Sequence, residues 1–205
     1  MKIITREVAL KNLKNHLDTN LRQFALEHGI TTYETGKQNK GWKGQVLERL
    51  AGLENNCLKA PNGQTFELKS VSFIIVNGLL KPKETMAICM INQQELLRDA
   101  FYQSHCWNKL KTIILCAVEW TEKNASESKL LDVASFDFDP KALITKEIQE
   151  DYEFIRNKLA TQGYESLTGA DGKWIQARTK GKGHGSTTRA FYARTCLIQY
   201  VIDNC

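Results

Sequence analysis

No stretch of this chain approaches the roughly 18 to 20 consecutive apolar residues that a membrane helix needs, and its first residues, M-K-I-I-T-R-E-V-A-L-K-N, lack the long apolar core of a secretory signal. A cytoplasmic protein that makes no use of a membrane is the expectation. The six cysteines, Cys57, Cys89, Cys106, Cys116, Cys196 and Cys205, stand far apart, with no C-x-x-C pair and no histidine beside them at a zinc-site spacing. Free thiols in a reducing compartment are therefore expected, without disulfides or zinc. The glycine-rich G-K-G-H-G at 181–185 lacks the G-K-[ST] ending of a phosphate-binding P-loop and does not lead from a strand into a helix. There is no internal repeat, low-complexity tract, linker, coiled-coil heptad or apolar surface stripe, so a monomer is expected.

What is present describes a globular chain. The 205 residues fit one large domain or two small ones, and 42% hydrophobic content suffices for a proper core. The net charge of +5 says little by itself, but Arg178, Lys180, Lys182, Arg189 and Arg194 fall in one stretch without an acidic residue, which marks a contact with a polyanion. Apolar spacing predicts two helices over 5–28, interrupted near Asp18 to Asn20 and capped by Gly29, and a helix over 42–53 with Trp42, Val46, Leu47, Leu50 and Ala51 on one side. Strands are expected at 64–73, 85–92 and 111–119, the last two buried on both faces, and helices at 94–101 and 140–161. A hairpin about Asp171-Gly172 and an apolar helix or strand over 191–202 close the chain. The fold class is α/β, a central mixed sheet flanked by helices.

The segment K-A-P-N-G-Q-T-F-E-L-K-S at 59–70 carries the chemistry. On a strand, Glu67 and Lys69 share one face, where a carboxylate and an ammonium can hold a divalent metal and the water it activates. A second acid belongs near that pair, yet five residues before Glu67 the chain has Asn62, whose amide oxygen is a weaker, uncharged ligand for a hard cation. Glu48, in the helix over 42–53, is a third candidate. Two readings stand side by side on local chemistry. E-x-K is common on solvated strand faces and Pro61-Asn62-Gly63 suits a plain turn, but Phe66, Leu68, Val71 and Phe73 imply a partly buried strand on which unpaired charge is costly. Lys182 and His184 belong either to a flexible basic loop or to one that reaches a nucleic-acid groove. His16, His28 and His105 are isolated, and Trp174, Phe191 and Tyr192 suit core packing, with Tyr192 the exception that base stacking would favour.

The runs N-K-G-W-K-G-Q-V-L-E-R-L-A-G (39–52) and A-P-N-G-Q-T-F-E-L-K (60–69), then N-K-L-K-T-I-I-L (108–115), I-Q-A-R-T-K (175–180) and R-A-F-Y-A-R (189–194), resemble in order the MutH-like and type II restriction endonucleases of the PD-(D/E)xK nuclease superfamily. The resemblance implies that fold over the whole of 1–205, with a catalytic part about 31–120 and a DNA-recognition part about 169–202. It implies Mg²⁺ held by Glu67, the main-chain carbonyl of Leu68, the residue at 62 and Glu48, with Lys69 handling the attacking water. It places Lys40, Gly41 and Lys109 near the DNA, Lys109 beside the scissile phosphate. Arg178, Thr179 and Lys180 would read base edges with Tyr192, while Lys182, His184 and Arg189 make further DNA contacts; the loop at 182–184 is closer to MvaI-type restriction enzymes. The implied activity is cleavage of double-stranded DNA by a type II restriction enzyme, with a cognate methyltransferase as genetic partner. A mismatch-repair enzyme nicking one strand at GATC sites and a catalytically silent DNA-binding protein are the alternatives. Asn62 is read as an engineered substitution that disarms an otherwise complete site, with natural loss of activity and a shifted carboxylate as rival explanations.

Overall fold

In the computed structural model of the protein, the described residues are 4–34, 37–39, 41–53, 65–122, 125–180 and 188–205. In chain order the elements are α1 (Arg6–Lys14), α2 (Leu21–Glu27), β1 (Tyr33–Glu34), β2 (Lys37–Gln38), α3 (Trp42–Ala51), β3 (Glu67–Val76), β4 (Leu79–Pro82), β5 (Met86–Met90), α4 (Gln93–Arg98), α5 (His105–Leu110), β6 (Thr112–Glu119), β7 (Leu130–Asp137), α6 (Leu143–Gln162), β8 (Ile175–Thr179), β9 (Arg189–Ala193) and α7 (Thr195–Asp203). They form two compact units, one of Met1–Glu84, Ile113–Phe136 and Asn204–Cys205, the other of Thr85–Thr112 and Asp137–Asp203. The stretch expected as the catalytic part is thus divided between them. No helix among the described residues is long and apolar enough to cross a membrane.

The first unit holds a mixed sheet in the order β4-β3-β6-β7. Strand β3 runs parallel to β6, with Glu67 opposite Ile113 and Lys69 opposite Leu115, and antiparallel to β4. The β3–β4 connection is Asn77-Gly78, both at positive φ, +51° and +77°, the geometry of a two-residue I′ turn. The hairpin carries β3 three residues beyond the expected end at Phe73. Helices α1 to α3 cover one face of this sheet: Ala9, Leu13, Leu21, Ala25, Trp42, Val46, Leu47 and Leu50 form one core with Leu68, Ile114, Cys116 and Val118. The break between α1 and α2 falls where expected. Asp18 turns through φ +63°, and the Asn20 side chain accepts the Arg22 N–H as the cap of α2. Helix α3 ends at Gly52, at φ +84°.

The second unit holds an antiparallel sheet in the order β5-β9-β8. Helix α6 is buried along Ile144, Ile148, Tyr152, Ile155 and Leu159, and Tyr152 stacks on Phe191 of β9 with ring centres 5.4 Å apart. The sequence is corrected here in three respects. The strand expected at 85–92 joins β9 and β8, not β3 and β6, and it is not buried on both faces, since Met86 and Ile88 are buried while Ala87 and Cys89 are only half-buried and Met90 is exposed. The residues before Asp171-Gly172 form a 3₁₀ turn over Tyr164–Ser166, so no hairpin is built there. The apolar stretch expected as one helix or strand over 191–202 is both, β9 and then α7.

Candidate active site

Glu67 opens β3 and Lys69 follows on the same face, as strand alternation requires. Lys69 Nζ lies 3.0 Å from Glu67 Oε1, with the two side chains only 17% and 6% exposed. A carboxylate so enclosed needs a cation beside it, because the charge leaves water at a large cost. Among the described residues, sheet pairing leaves this end of the strand an open border. Strand β6 accompanies β3 from Glu67 to Phe73, whereas the register of β4 starts only at Phe73, with one further bond from Lys83 N–H to the Ser72 carbonyl oxygen. Among the described residues, the stretch from Glu67 to Val71 thus has a strand partner on one side only.

The other residues expected at this site are distributed as follows. Leu68 points into the core shared with α3, so its side chain is on the face opposite Glu67. Lys43 of α3 reaches the same face, its Nζ donating to Ser72 Oγ at 3.4 Å and to the Glu119 carbonyl oxygen at 3.5 Å, and burial lowers its pKa. Helix α3 therefore packs behind the Glu67–Lys69 face. Glu48 is half-buried on that helix. Gly41 sits at the N-terminus of α3, its N–H donating to Asn39 Oδ1 at 3.0 Å. Lys109 stands half-buried in the last turn of α5, in the second unit. Asn62, Lys40, Lys182 and His184 lie outside the described residues. Among the described residues no group of three His, Cys, Asp or Glu could hold a metal. What Glu67 and the Leu68 carbonyl offer is oxygen, the donor type of a hard cation, and a complete set requires an acid from elsewhere in the chain.

The basic stretch separates into two kinds of arginine. Arg178, Thr179 and Lys180 are exposed at the end of β8. The Arg178 guanidinium lies 5.0 Å from the ring centre of half-buried Tyr192, and its Nη1 donates to Thr85 Oγ1 at 3.3 Å. Lys180 and Thr188 close the strand pair, Lys180 N–H donating to the Thr188 carbonyl at 3.0 Å. Arg189, expected at the DNA, is instead buried, with only 5% exposure. Its Nε donates to the Leu167 carbonyl at 2.8 Å, its Nη2 reaches the carbonyl and the carboxylate of Glu165 at 3.1 Å, and it lies over the Tyr164 ring. Arg194 likewise donates to the carbonyls of Gly172, Gly169 and Asp171. Arg189 is turned inward on β9 and Arg194, half-buried just beyond the strand, is tied to backbone carbonyls, a distinction that a count of basic residues does not make.

No local pattern in the sequence points to the partners of the acidic residues that hold this part together. Asp151 of α6 accepts the N–H groups of Lys173, Trp174 and Ile175 at 2.7, 2.6 and 2.9 Å, fixing the start of β8. Asp171 accepts Lys158 Nζ at 2.6 Å and the Thr168 N–H at 2.6 Å. Gly172, at φ +79°, fits against Asp151 and the Ile175 carbonyl, where a Cβ would collide. Only the glycine at 172 was legible as a turn.

Residues 58–151, which include Glu67 and Lys69, match the family model described as "DNA mismatch repair enzyme MutH". Curated relatives extend the likeness over almost the whole chain. The DNA mismatch repair protein MutH of Escherichia coli O17:K52:H18 (strain UMN026 / ExPEC) is 25% identical over 192 residues, 93% of this chain and 82% of that protein. The DNA mismatch repair protein MutH of Shigella flexneri serotype 5b (strain 8401) is 24% identical over the same length. With a mixed sheet flanked by helices and the E-x-K pair on strand β3, the chain is similar to the MutH-like nucleases and shares the mixed α/β architecture of the PD-(D/E)xK fold.

Proposed function

We propose that the chain is a sequence-specific endonuclease of double-stranded DNA that works with Mg²⁺ and cuts as a type II restriction enzyme does. The enclosed Glu67–Lys69 pair at the open border of β3 carries this reading. A cation bound there would supply Lewis-acid polarisation of the phosphate and a more acidic water. Glu67, the Leu68 carbonyl and an acid at position 62 would hold it, with Glu48 in support; these are hard oxygen donors, as Mg²⁺ requires. Lys69, one ion-pair distance from Glu67, is placed to orient the attacking water and, by its positive charge, to ease that water's loss of a proton to solvent. In-line attack leaves a 5′-phosphate and a 3′-hydroxyl. Arg178, Thr179 and Lys180, exposed at the end of β8, read base edges beside Tyr192. The reaction needs no organic cofactor, and a monomer acting in the cytoplasm, paired genetically with a methyltransferase, fits the reading.

A second reading, a mismatch-repair enzyme that nicks one strand, draws support from the names of the relatives. Plasmid DNA with and without adenine methylation, incubated with Mg²⁺ and no accessory protein, separates the possibilities when the chain is compared with its Asn62→Asp variant. Double-strand cutting of unmethylated DNA by the variant alone is the expected result and identifies Asn62 as the impaired ligand. Nicking in place of cutting favours the repair enzyme. Binding without cleavage by either form leaves a catalytically silent DNA-binding protein and overturns the proposal.

A further inference from the structure

Arg178 bridges three strands with one side chain. It leaves β8, lays its guanidinium over Tyr192 of β9, and donates through Nη1 to the hydroxyl of Thr85, the residue before β5. A solvent-exposed arginine ordinarily samples many rotamers, and few of them aim its planar fork at a given base edge. Here the tyrosine ring and the threonine hydroxyl hold the guanidinium at two points. The bond to Thr85 uses one of the five N–H groups that a guanidinium carries, and recognition of guanine O6 and N7 requires two.

We propose that Thr85 is a positioning residue for sequence recognition: its hydroxyl holds Arg178 over Tyr192 in the orientation that reads a guanine. The proposal rests on the reading of the chain as a DNA endonuclease. Thr85 has no chemistry that would single it out in the sequence, and 93 residues separate it from Arg178.

The test is selection of bound duplexes from a randomised pool by the full chain and by its Thr85→Val, Thr85→Ser and Arg178→Ala variants, with Ca²⁺ in place of Mg²⁺ to hold back cleavage. Base preference at each position is read alongside the thermal midpoint and the salt dependence of binding. A bidentate arginine–guanine contact is worth about 5- to 150-fold in discrimination. Arg178→Ala should remove the guanine preference at one position. Thr85→Val should weaken the preference at that same position by about 3- to 10-fold, as partial loss of that contact, with salt dependence and thermal midpoint unchanged, and Thr85→Ser should keep it. A Thr85→Val preference equal to the parent's, or sharper, overturns the proposal alone, the sharper result showing that Thr85 restrains Arg178 away from DNA. A parent chain that retains no duplex at all overturns the endonuclease reading and this proposal with it.

Discussion

Lys69 Nζ and Glu67 Oε1 are 3.0 Å apart on one face of β3, and each is the other's answer to enclosure. Removing one partner takes an opposite charge away from the other, whereas removing both does not. A double-mutant cycle with Glu67→Gln and Lys69→Met should therefore show a coupling of about 1 to 3 kcal/mol in urea unfolding, with the double variant less destabilised than the sum of the singles. On the proposed mechanism, cleavage by the Asn62→Asp form should fall by more than about 100-fold in each single variant, because each would remove a group proposed to act on the reacting water or its metal. Additive stabilities would show that the pair is held by its surroundings and not by mutual attraction.

Asp151 meets three consecutive backbone N–H groups at the entry to β8. Replacing it by alanine leaves these donors without their acceptor, at about 1 to 3 kcal/mol for a buried one. Since water can reach the Lys173 end, a total loss of about 2 to 5 kcal/mol is expected for Asp151→Ala, read from denaturant midpoints at constant m-value. Asp151→Asn, which keeps one acceptor oxygen, should lose less. A loss under about 0.5 kcal/mol for the alanine variant, in the range of ordinary surface changes, would show that the loop repacks without it.

The contrast between Glu67 and Asp151 shows what could be read from the sequence. The Glu67–Lys69 pair was legible because its geometry is local: two residues apart on a strand fixes their common face, and apolar neighbours signal enclosure. Helix α3 and the break at Asp18 to Asn20 were legible for the same reason. Asn77-Gly78 carried an equally local signal for the β3–β4 hairpin, yet the strand was ended at Phe73, before it. Asp151, by contrast, finds its partners more than twenty residues away, and no periodicity points to them. The separation of Arg178 from Arg189 depended on which strand face each would occupy. The charge run alone read them as equivalent. The face behind β3 was likewise settled only by tertiary packing, and with it the position of α3 relative to Glu67.

Glu147 accepts Lys173 Nζ at 2.9 Å on one oxygen and Trp174 Nε1 at 2.7 Å on the other, and these bonds, the lysine first, lower its pKa below the usual 4.5. The folded state thus binds the proton less readily than the unfolded chain, so stability rises with pH across this interval. The contribution is complete above about 4.5, the unfolded value, and is lost as pH falls through the lower folded value. Thermal midpoints of the parent and of Glu147→Gln should therefore differ most at neutral pH and converge under acid. A difference that is the same at both pH values would mean that the carboxylate's charge contributes nothing and that only packing is lost.

Arg189 gives the sharpest separation between support and contact. If it met a DNA phosphate, its removal would lower the slope of log affinity against log salt by about 0.9, the release of roughly one counterion. Its donors are instead directed at the Leu167 and Glu165 carbonyls and the Glu165 carboxylate, beneath the residues that pack beside β9. Arg189→Met keeps much of the stem and discards the hydrogen bonds, and should cost about 1 to 3 kcal/mol in unfolding free energy, since the charge-assisted bond to the carbonyl of buried Leu167 is lost together with those to exposed Glu165. The salt slope of DNA binding should stay as it is, whereas Lys180→Met, at the exposed end of β8, should reduce that slope without moving the thermal midpoint. Measuring both slopes and both midpoints on the same duplex settles the assignment. A reduced slope for Arg189→Met would return this residue to the DNA, and it would require the 164–167 turn to release it when the duplex binds.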